Sequence, residues 1–309
     1  MKVAIVGGAG GVGSSLAFNL LLLDGSHDVV LLDSDARMIE SHVMDLEQSL
    51  LLGSGGSVRG GGDDDVLDAD VVVLTASVPL ALNTSRMVYL HDNVAIVGGA
   101  ADLLATAGAW PGVVVVVTNP VDPLCSLTIR RSALDPRRVV GYTLNDNLRL
   151  RSGLSRALRV PPRDIDAWVI GEHGDACVPL FSRVRVRGEP VQPTAEQREA
   201  AERFLRGWYR RHVALDSGRT STWTSGLGVA RMLMAIATGD DGPWPASVRL
   251  AGEYGLEDVC LSVPVSLGRG GAEVVHEWEL ADDELEALRA SAAAVREADA
   301  AIGPAQPAG

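Results

Sequence analysis

Val3-Ala-Ile-Val-Gly-Gly-Ala-Gly-Gly-Val-Gly13 is the stretch from which the rest of the chain is read. Val3 to Val6 is an apolar run of strand type. It stops at glycines, and a run of helix type, Ser14 to Leu23, follows. Gly8, Gly10 and Gly13 hold the G-x-G-x-x-G spacing of a dinucleotide-binding turn, with Val12 on the same cofactor side. In such a turn the first glycine permits the tight bend, the second lets backbone approach a pyrophosphate, and the third lets helix pack on strand. The free N–H groups and positive dipole end of the helix then face the phosphates. A second apolar run, Val29 to Leu32, ends in Asp33, twenty residues after Gly13. An acid at that distance accepts the ribose hydroxyls and repels a 2′-phosphate, so the cofactor expected is NAD and not NADP.

The remainder of the chain is consistent with that start. Its 309 residues suit two packed domains or one large one, and an apolar fraction of 47% supports a sizeable core. The formal net charge of −13 argues against nucleic acid and anionic membrane as partners. Lys2 is the only lysine, so arginine carries nearly all the positive charge. The three cysteines, Cys125, Cys177 and Cys260, form no C-x-x-C pair. That argues against a disulfide framework or zinc knuckle and for a reducing cytoplasm. No apolar run reaches the length of a membrane span, and the first strand starts too early for a signal peptide.

Helices are predicted over Ala36 to Leu52 and Met87 to Leu104, with a Gly-, Ser- and Asp-rich loop from Gly53 to Asp65. Asp63-Asp64-Asp65 reads as a solvated face, not a metal site. Val71 to Leu74 is a buried strand, Ser77 to Ser85 a loop, and the five valines from Val113 to Val117 a strand covered on both faces. Strand alternating with helix over the first ~145 residues predicts a doubly wound parallel sheet. Further on, the patterns give a helix over Asn145 to Leu158, capped by Asn145 or Asp146, and a strand over Ile165 to Ile170. Helices over Thr194 to Val213 and Thr222 to Ala237 come next. Antiparallel strands over Tyr254 to Arg269, a helix over Asp282 to Ala301 and a tail from Gly303 complete the chain.

Chemistry-bearing residues gather where strands end. Arg86 closes the Ser77 to Ser85 loop, Asn119-Pro120 follows the valines, Asp146 and Arg149 share one helix face, and His173 stands in Gly171-Glu-His-Gly-Asp175. Together with the glycine turn, Thr118-Asn-Pro120, and Asn93 following Arg86, they resemble the lactate/malate dehydrogenase family over nearly the whole length. The resemblance implies an NAD-dependent dehydrogenase of L-2-hydroxy acids. It places a Rossmann domain over residues 1–143 and an α+β catalytic domain over 144–309. His173 is then the base that takes the hydroxyl proton, since imidazole titrates near neutrality and serves both directions. Asp146 fixes its tautomer. Arg149 grips the substrate carboxylate with two parallel hydrogen bonds, a geometry lysine cannot match. Arg86, on a closing loop, polarises the carbonyl, and Asn119 bonds the substrate oxygen or the nicotinamide. Asn93 falls on the cofactor side, and Ser221 with Thr222 on the substrate side or as a helix cap. The helix over Ala36 to Leu52 resembles the family's dimer-forming helix, so a homodimer or homotetramer is expected.

One position departs from the family. Malate enzymes carry an arginine in the loop before Arg86 for the second carboxylate, and lactate enzymes a glutamine. Here the stretch is Val78-Pro-Leu-Ala-Leu-Asn-Thr-Ser-Arg86, which puts Leu80 there. Leucine offers neither charge nor hydrogen bond, so a monocarboxylic 2-oxo acid is expected to outperform oxaloacetate. Arg219, or the weaker donors Asn83 and Thr84, would have to hold a second carboxylate in the malate alternative. Two rival classes are weighed against this. An NAD-dependent glycosidase of related fold needs cysteine and histidine metal ligands, and the Gly-Glu-His-Gly-Asp motif fits the dehydrogenases instead. A catalytically silent NAD-binding protein would not need His173, Asp146, Arg149 and Arg86 together.

Overall fold

A computed structural model of the chain describes residues 1–23, 26–53, 55–78 and 86–303. Its first part alternates strand and helix: β1 (Lys2–Val6), α1 (Gly11–Leu23), β2 (Asp28–Leu32), α2 (Ala36–Leu50), β3 (Ser57–Gly60) and α3 (Asp63–Leu67). It continues through β4 (Val71–Leu74), α4 (Arg86–Thr106), β5 (Val113–Val116), α5 (Val121–Ser132) and β6 (Val139–Tyr142). These strands pair in parallel in the order β3-β2-β1-β4-β5-β6, so the chain winds outward from β1 in both directions. Strand residues alternate between two cores. Val3, Ile5, Val73 and Val115 join one cluster, while Ala4, Val72, Val114 and Val116 join the other. Both faces are thus covered, which is why these strands read as unbroken apolar runs.

The second part holds α6 (Leu144–Leu158), β7 (Ile165–Asp166), β8 (Val169–Gly171), β9 (Cys177–Pro179), β10 (Arg185–Val186), β11 (Glu189–Pro190), α7 (Ala195–Ala214) and α8 (Thr222–Thr238). It ends with β12 (Asp240–Ala251), β13 (Glu257–Gly268), β14 (Gly271–Val275) and α9 (Asp282–Ile302). Strand β12 pairs antiparallel with β6, and β13, β8 and β9 extend the same sheet. Next to Thr143 the pairing therefore turns from parallel to antiparallel within one continuous sheet.

Four local expectations are corrected. The stretch from Gly53 to Asp65 is not all loop: Ser57–Gly60 adds an edge strand, in which only Val58 is buried, too weak a pattern to read. Asp65, the third residue of α3, accepts from Lys2 Nζ at 3.1 Å and from Arg59 Nη1 at 3.0 Å, so this acid is not simply solvated. Helix α6 begins after Thr143, and no side chain caps it. Asn145 and Asp146 lie buried inside its first turn because their side chains serve tertiary partners. The strand expected from Ile165 to Ile170 is divided: β7 joins a small three-stranded sheet and β8 the main one. Strand β12 escapes a pattern search because Pro243 and Pro245 interrupt it. Residues 79–85, which include Leu80, Asn83 and Thr84, and the tail 304–309 lie outside the described residues.

The glycine turn works by exclusion of side chains. Gly7 sits at φ +97°, and a Cβ there would lie 2.3 Å from the Ala76 nitrogen. A Cβ on Gly13 would lie 2.3 Å from the Gly7 carbonyl oxygen. Helix α1 can approach β1 only because both atoms are missing. Gly13→Ala should therefore destabilise the protein by about 1–3 kcal/mol and weaken NADH binding. Denaturant unfolding and NADH fluorescence titration check this, and wild-type values in both would contradict the close approach.

Candidate active site

His173 sits on the turn that follows β8, and that turn is held at three points. Glu172 N donates to Ser291 Oγ at 2.7 Å, Ala176 N to Glu172 Oε2 at 2.7 Å, and His173 N to Asp122 Oδ2 at 2.7 Å. Asp146 and Arg149 come from the first turns of α6, which rises directly from β6. Asp146 Oδ2 lies 2.6 Å from His173 Nδ1, and Asp146 Oδ1 accepts from Arg149 Nη1 at 3.0 Å. An ionised carboxylate only accepts, so Nδ1 carries the proton and Nε2 remains to exchange one with a bound molecule.

The electrostatics are coupled. Burial works against a charged His173, but the charge and hydrogen bond of Asp146 outweigh it and raise the imidazole above its ordinary 6.5. Burial would likewise raise Asp146, yet His173 and Arg149 outweigh it and hold the carboxyl below its ordinary value. The arrangement favours the protonated imidazole, beside a guanidinium bonded to the same carboxylate.

Arg149 is also gripped from its flat side. Its Cζ lies 4.4 Å from the Trp208 ring centroid. His212 stacks behind Trp208, at 5.0 Å and 12°, and its Nε2 lies 2.9 Å from the Arg219 carbonyl oxygen. A stacked guanidinium keeps its donors at the ring edge, where a carboxylate can meet two of them.

The expected cofactor residues divide by role. Gly10, Val12 and Asp33 line a groove of about 1660 Å³, together with Gly7 and Arg219. Gly8 and Gly13 are instead buried against Leu31 and Gly7 and serve packing. Asp33 is exposed at the end of β2, and its Oδ2 accepts from Ala9 N at 3.2 Å. A helix N-terminus, a turn without side chains and an acid at the next strand end fit a dinucleotide without a 2′-phosphate. His173, Asp146 and Arg149 are not among the described residues lining this groove.

Asn119 is exposed after β5, at a cis bond to Pro120. Asn93 is wholly buried, donating to the Asn119 carbonyl oxygen at 2.8 Å and accepting from Val78 N at 3.0 Å. It therefore braces the Asn119 turn. Ser221 stands at the start of α8 without a side-chain cap bond. Arg219 lies over Trp223, its Cζ 4.6 Å from the ring centroid. Arg86 is the first residue of α4, and its side chain lies outside what is described. Cys125, Cys177 and Cys260 are free and buried, and burial pushes Cys177 and Cys260 up to about 12. Among the described residues, no three His, Cys, Asp or Glu side chains converge on a metal position, and no helix is long and apolar enough to cross a membrane.

Sequence reasoning missed Gly7, Trp208 and Asp122. Gly7 falls outside the chosen glycine frame. Trp208 reads as one more residue of a long helix. Asp122 left a signal, an acid two residues past Asn119-Pro120 in an otherwise apolar run.

Comparison with known proteins agrees with this geometry. The lactate/malate dehydrogenase NAD-binding domain matches residues 1–141, and the lactate/malate dehydrogenase alpha/beta C-terminal domain matches 143–301. An L-lactate dehydrogenase of Gloeobacter violaceus is 34% identical over 308 residues, covering 96% of this chain and 92% of that protein. A malate dehydrogenase of Halobacterium salinarum is 37% identical over 290 residues, covering 93% and 94%. The crystal structure of Cryptosporidium parvum malate dehydrogenase superposes with a TM-score of 0.90 at 28% identity, covering 97% of this chain and 98% of that one. Fold and relatives define an NAD-dependent oxidoreductase acting on the CH–OH group of a 2-hydroxy acid. The chain belongs to the lactate/malate dehydrogenase family.

The raised His173 and lowered Asp146 set a pH window. Their pairing stabilises the fold fully between about 3.8 and 6.5, the ordinary values of the two groups. It is lost as pH falls through the lowered Asp146 value or rises through the raised His173 value. In Asp146→Asn the largest influence raising His173 is gone while burial and the Arg149 charge remain, so its imidazole should titrate lower than in the wild type. NMR titration of the ring protons reads this, and an unmoved midpoint would show that Asp146 does not govern His173.

Proposed function

We propose that the protein catalyses reversible hydride transfer between NADH and a small monocarboxylic 2-oxo acid, with His173 as the proton donor and acceptor. The observation that carries this reading is the single Asp146 carboxylate bonded on one side to His173 and on the other to Arg149. It sets an acid–base group and a carboxylate-binding group side by side, as a 2-oxo acid requires. When bound, NADH supplies the hydride. The chain's own residues do the rest. Arg149 holds the substrate carboxylate at the edge of a guanidinium braced by Trp208. His173 Nε2 gives its proton to the carbonyl oxygen as it becomes a hydroxyl, and takes it back in the reverse direction. Arg86 stabilises the charge growing on that oxygen, and Asn119 orients substrate or nicotinamide. Asn93 holds the Asn119 turn, and Ser221 borders the substrate. Gly10, Val12 and Asp33 contact the cofactor. The division of labour follows the chain: residues 1–143 bind NAD and 144–309 supply the base.

Substrate choice turns on Leu80, which brings no charge to the place where the family reads the group beyond the carbonyl. Oxaloacetate would be preferred only if another cation held its second carboxylate. Arg219 is the candidate, and its position on Trp223 in the glycine-lined groove favours a place along the cofactor instead. We further assign the protein to the reducing cytoplasm, as a homodimer or homotetramer. Support for the oligomer is the apolar exposure of Phe18 and Leu22 on α1, Met44 on α2 and Trp223 on α8.

His173→Asn should retain NADH binding and lose turnover by roughly 10²–10⁴-fold; steady-state kinetics beside NADH titration decide it, and an active variant places the base elsewhere. In a panel of 2-oxo acids, a monocarboxylate should exceed oxaloacetate in kcat/KM. Leu80→Arg should move the ratio toward oxaloacetate by about two decades, on the order of 3 kcal/mol. Wild-type preference for oxaloacetate, or an unchanged ranking in Leu80→Arg, contradicts the reading.

A further inference from the structure

We propose that Asp122 is a positioning residue for His173, holding its main chain and adding a second negative charge near its imidazole. The inference rests on the reading of His173 as the acid–base group. Asp122 is the second residue of α5, three residues past Asn119, and is buried. Its Oδ2 accepts from His173 N at 2.7 Å, and its Oδ1 accepts from Ser247 Oγ on β12 at 2.6 Å. One carboxylate thus ties three elements together: the helix that begins at the substrate-side turn, the turn that carries the base, and the first strand of the antiparallel part of the sheet.

The charge is the informative feature. An asparagine could accept from His173 N through Oδ1 and donate to Ser247 Oγ through Nδ2 without the cost of a buried ion. The chain nevertheless keeps an acid at a desolvated point beside the group that becomes cationic. Burial pushes Asp122 up to about 6, while the Ser247 hydroxyl, the His173 amide and the His173 charge pull it down. Its negative charge in turn favours the imidazolium of His173. The charged and titratable groups around this pair are Asp146 and Arg149 on α6, Glu172 on the turn, Cys125 on α5 and Cys260 on β13. Burial raises both thiols, which keeps them neutral. Asp146 fixes the ring through Nδ1, and Asp122 fixes the backbone and adds to the field. The two acids act on the same base from different sides.

The experiment follows the His173 ring protons by NMR across pH in the full-length protein, with His173→Asn assigning the signal. Wild type is compared with Asp122→Asn and Ser247→Ala, and the alkaline limb of kcat/KM for oxo-acid reduction is recorded in parallel. Asp122→Asn removes the charge at nearly constant volume and should lower the His173 midpoint by about half a unit or more. Ser247→Ala removes one donor, drives Asp122 toward its protonated form and should shift the midpoint the same way by less. A folded Asp122→Asn protein with a lower Tm but an unmoved midpoint would overturn the proposal, since that is what mere packing predicts. If Asp122→Asn does not fold, Ser247→Ala decides, and an unmoved midpoint there overturns it equally. If the midpoint moves but the rate limb does not, the link between Asp122 and His173 stands and the assignment of His173 as base falls.

Discussion

A carboxylate removed from water must find its stabilisation in the protein, and Asp146 finds it in His173 and Arg149. An uncompensated buried charge costs on the order of 3–5 kcal/mol, so neither partner can drift without a large penalty. That requirement orders the neighbourhood. Helix α6 must start at Leu144 to deliver Asp146 and Arg149 on one face. The turn after β8 must bring His173 back to it, and α7 must lay Trp208 against the free face of Arg149. The ion pair is weak support for overall stability, but it leaves one geometry in which every charge is met.

The other end of the site is governed by absence. At Gly7 and Gly13 the protein needs atoms not to be there, so that β1, α1 and the strand end at Ala76 can converge. The groove lined by Gly7, Gly10 and Asp33 borders this bare backbone. Closely approached, glycine-rich backbone stands at one end and a tightly partnered charged cluster at the other.

Much of this was legible in the sequence, for reasons that differ by element. Strands β1, β4 and β5 are covered on both faces, so their apolar runs are unmistakable. His173, Asp146 and Arg149, the proposed base, its acid and the carboxylate-binding arginine, stand in short motifs at strand ends. What escaped depends on long-range contact. Strand β3 exists because β2 offers it a ladder, not because Ser57–Gly60 favours extension. Strand β12 carries prolines and is held by β6 and β13 on either side. Asn145 and Asp146 look like helix caps, and only the approach of His173, Tyr142 and Ser225 turns them inward. Trp208 and Asp122 lie 59 and 51 residues from their partners Arg149 and His173 in the sequence, and local pattern says nothing at that range.

The seam between the two parts of the sheet bears on how such proteins diversify. Tyr142 pairs with Ala246 and Gly141 with Ser247, so the sheet crosses from one matched segment to the other through backbone hydrogen bonds. Gly226 on α8 lies where a Cβ would meet Ser15 Oγ on α1 at 2.2 Å, so the helices interlock across the same divide. The two parts are therefore not interchangeable cassettes. Recombination that exchanged the second part for a relative's would have to inherit a matching strand edge and a small residue facing α1. Exchange of single loops carries no such condition. This architecture makes the two halves travel together, because the strand edge and the helix contact must be kept at once.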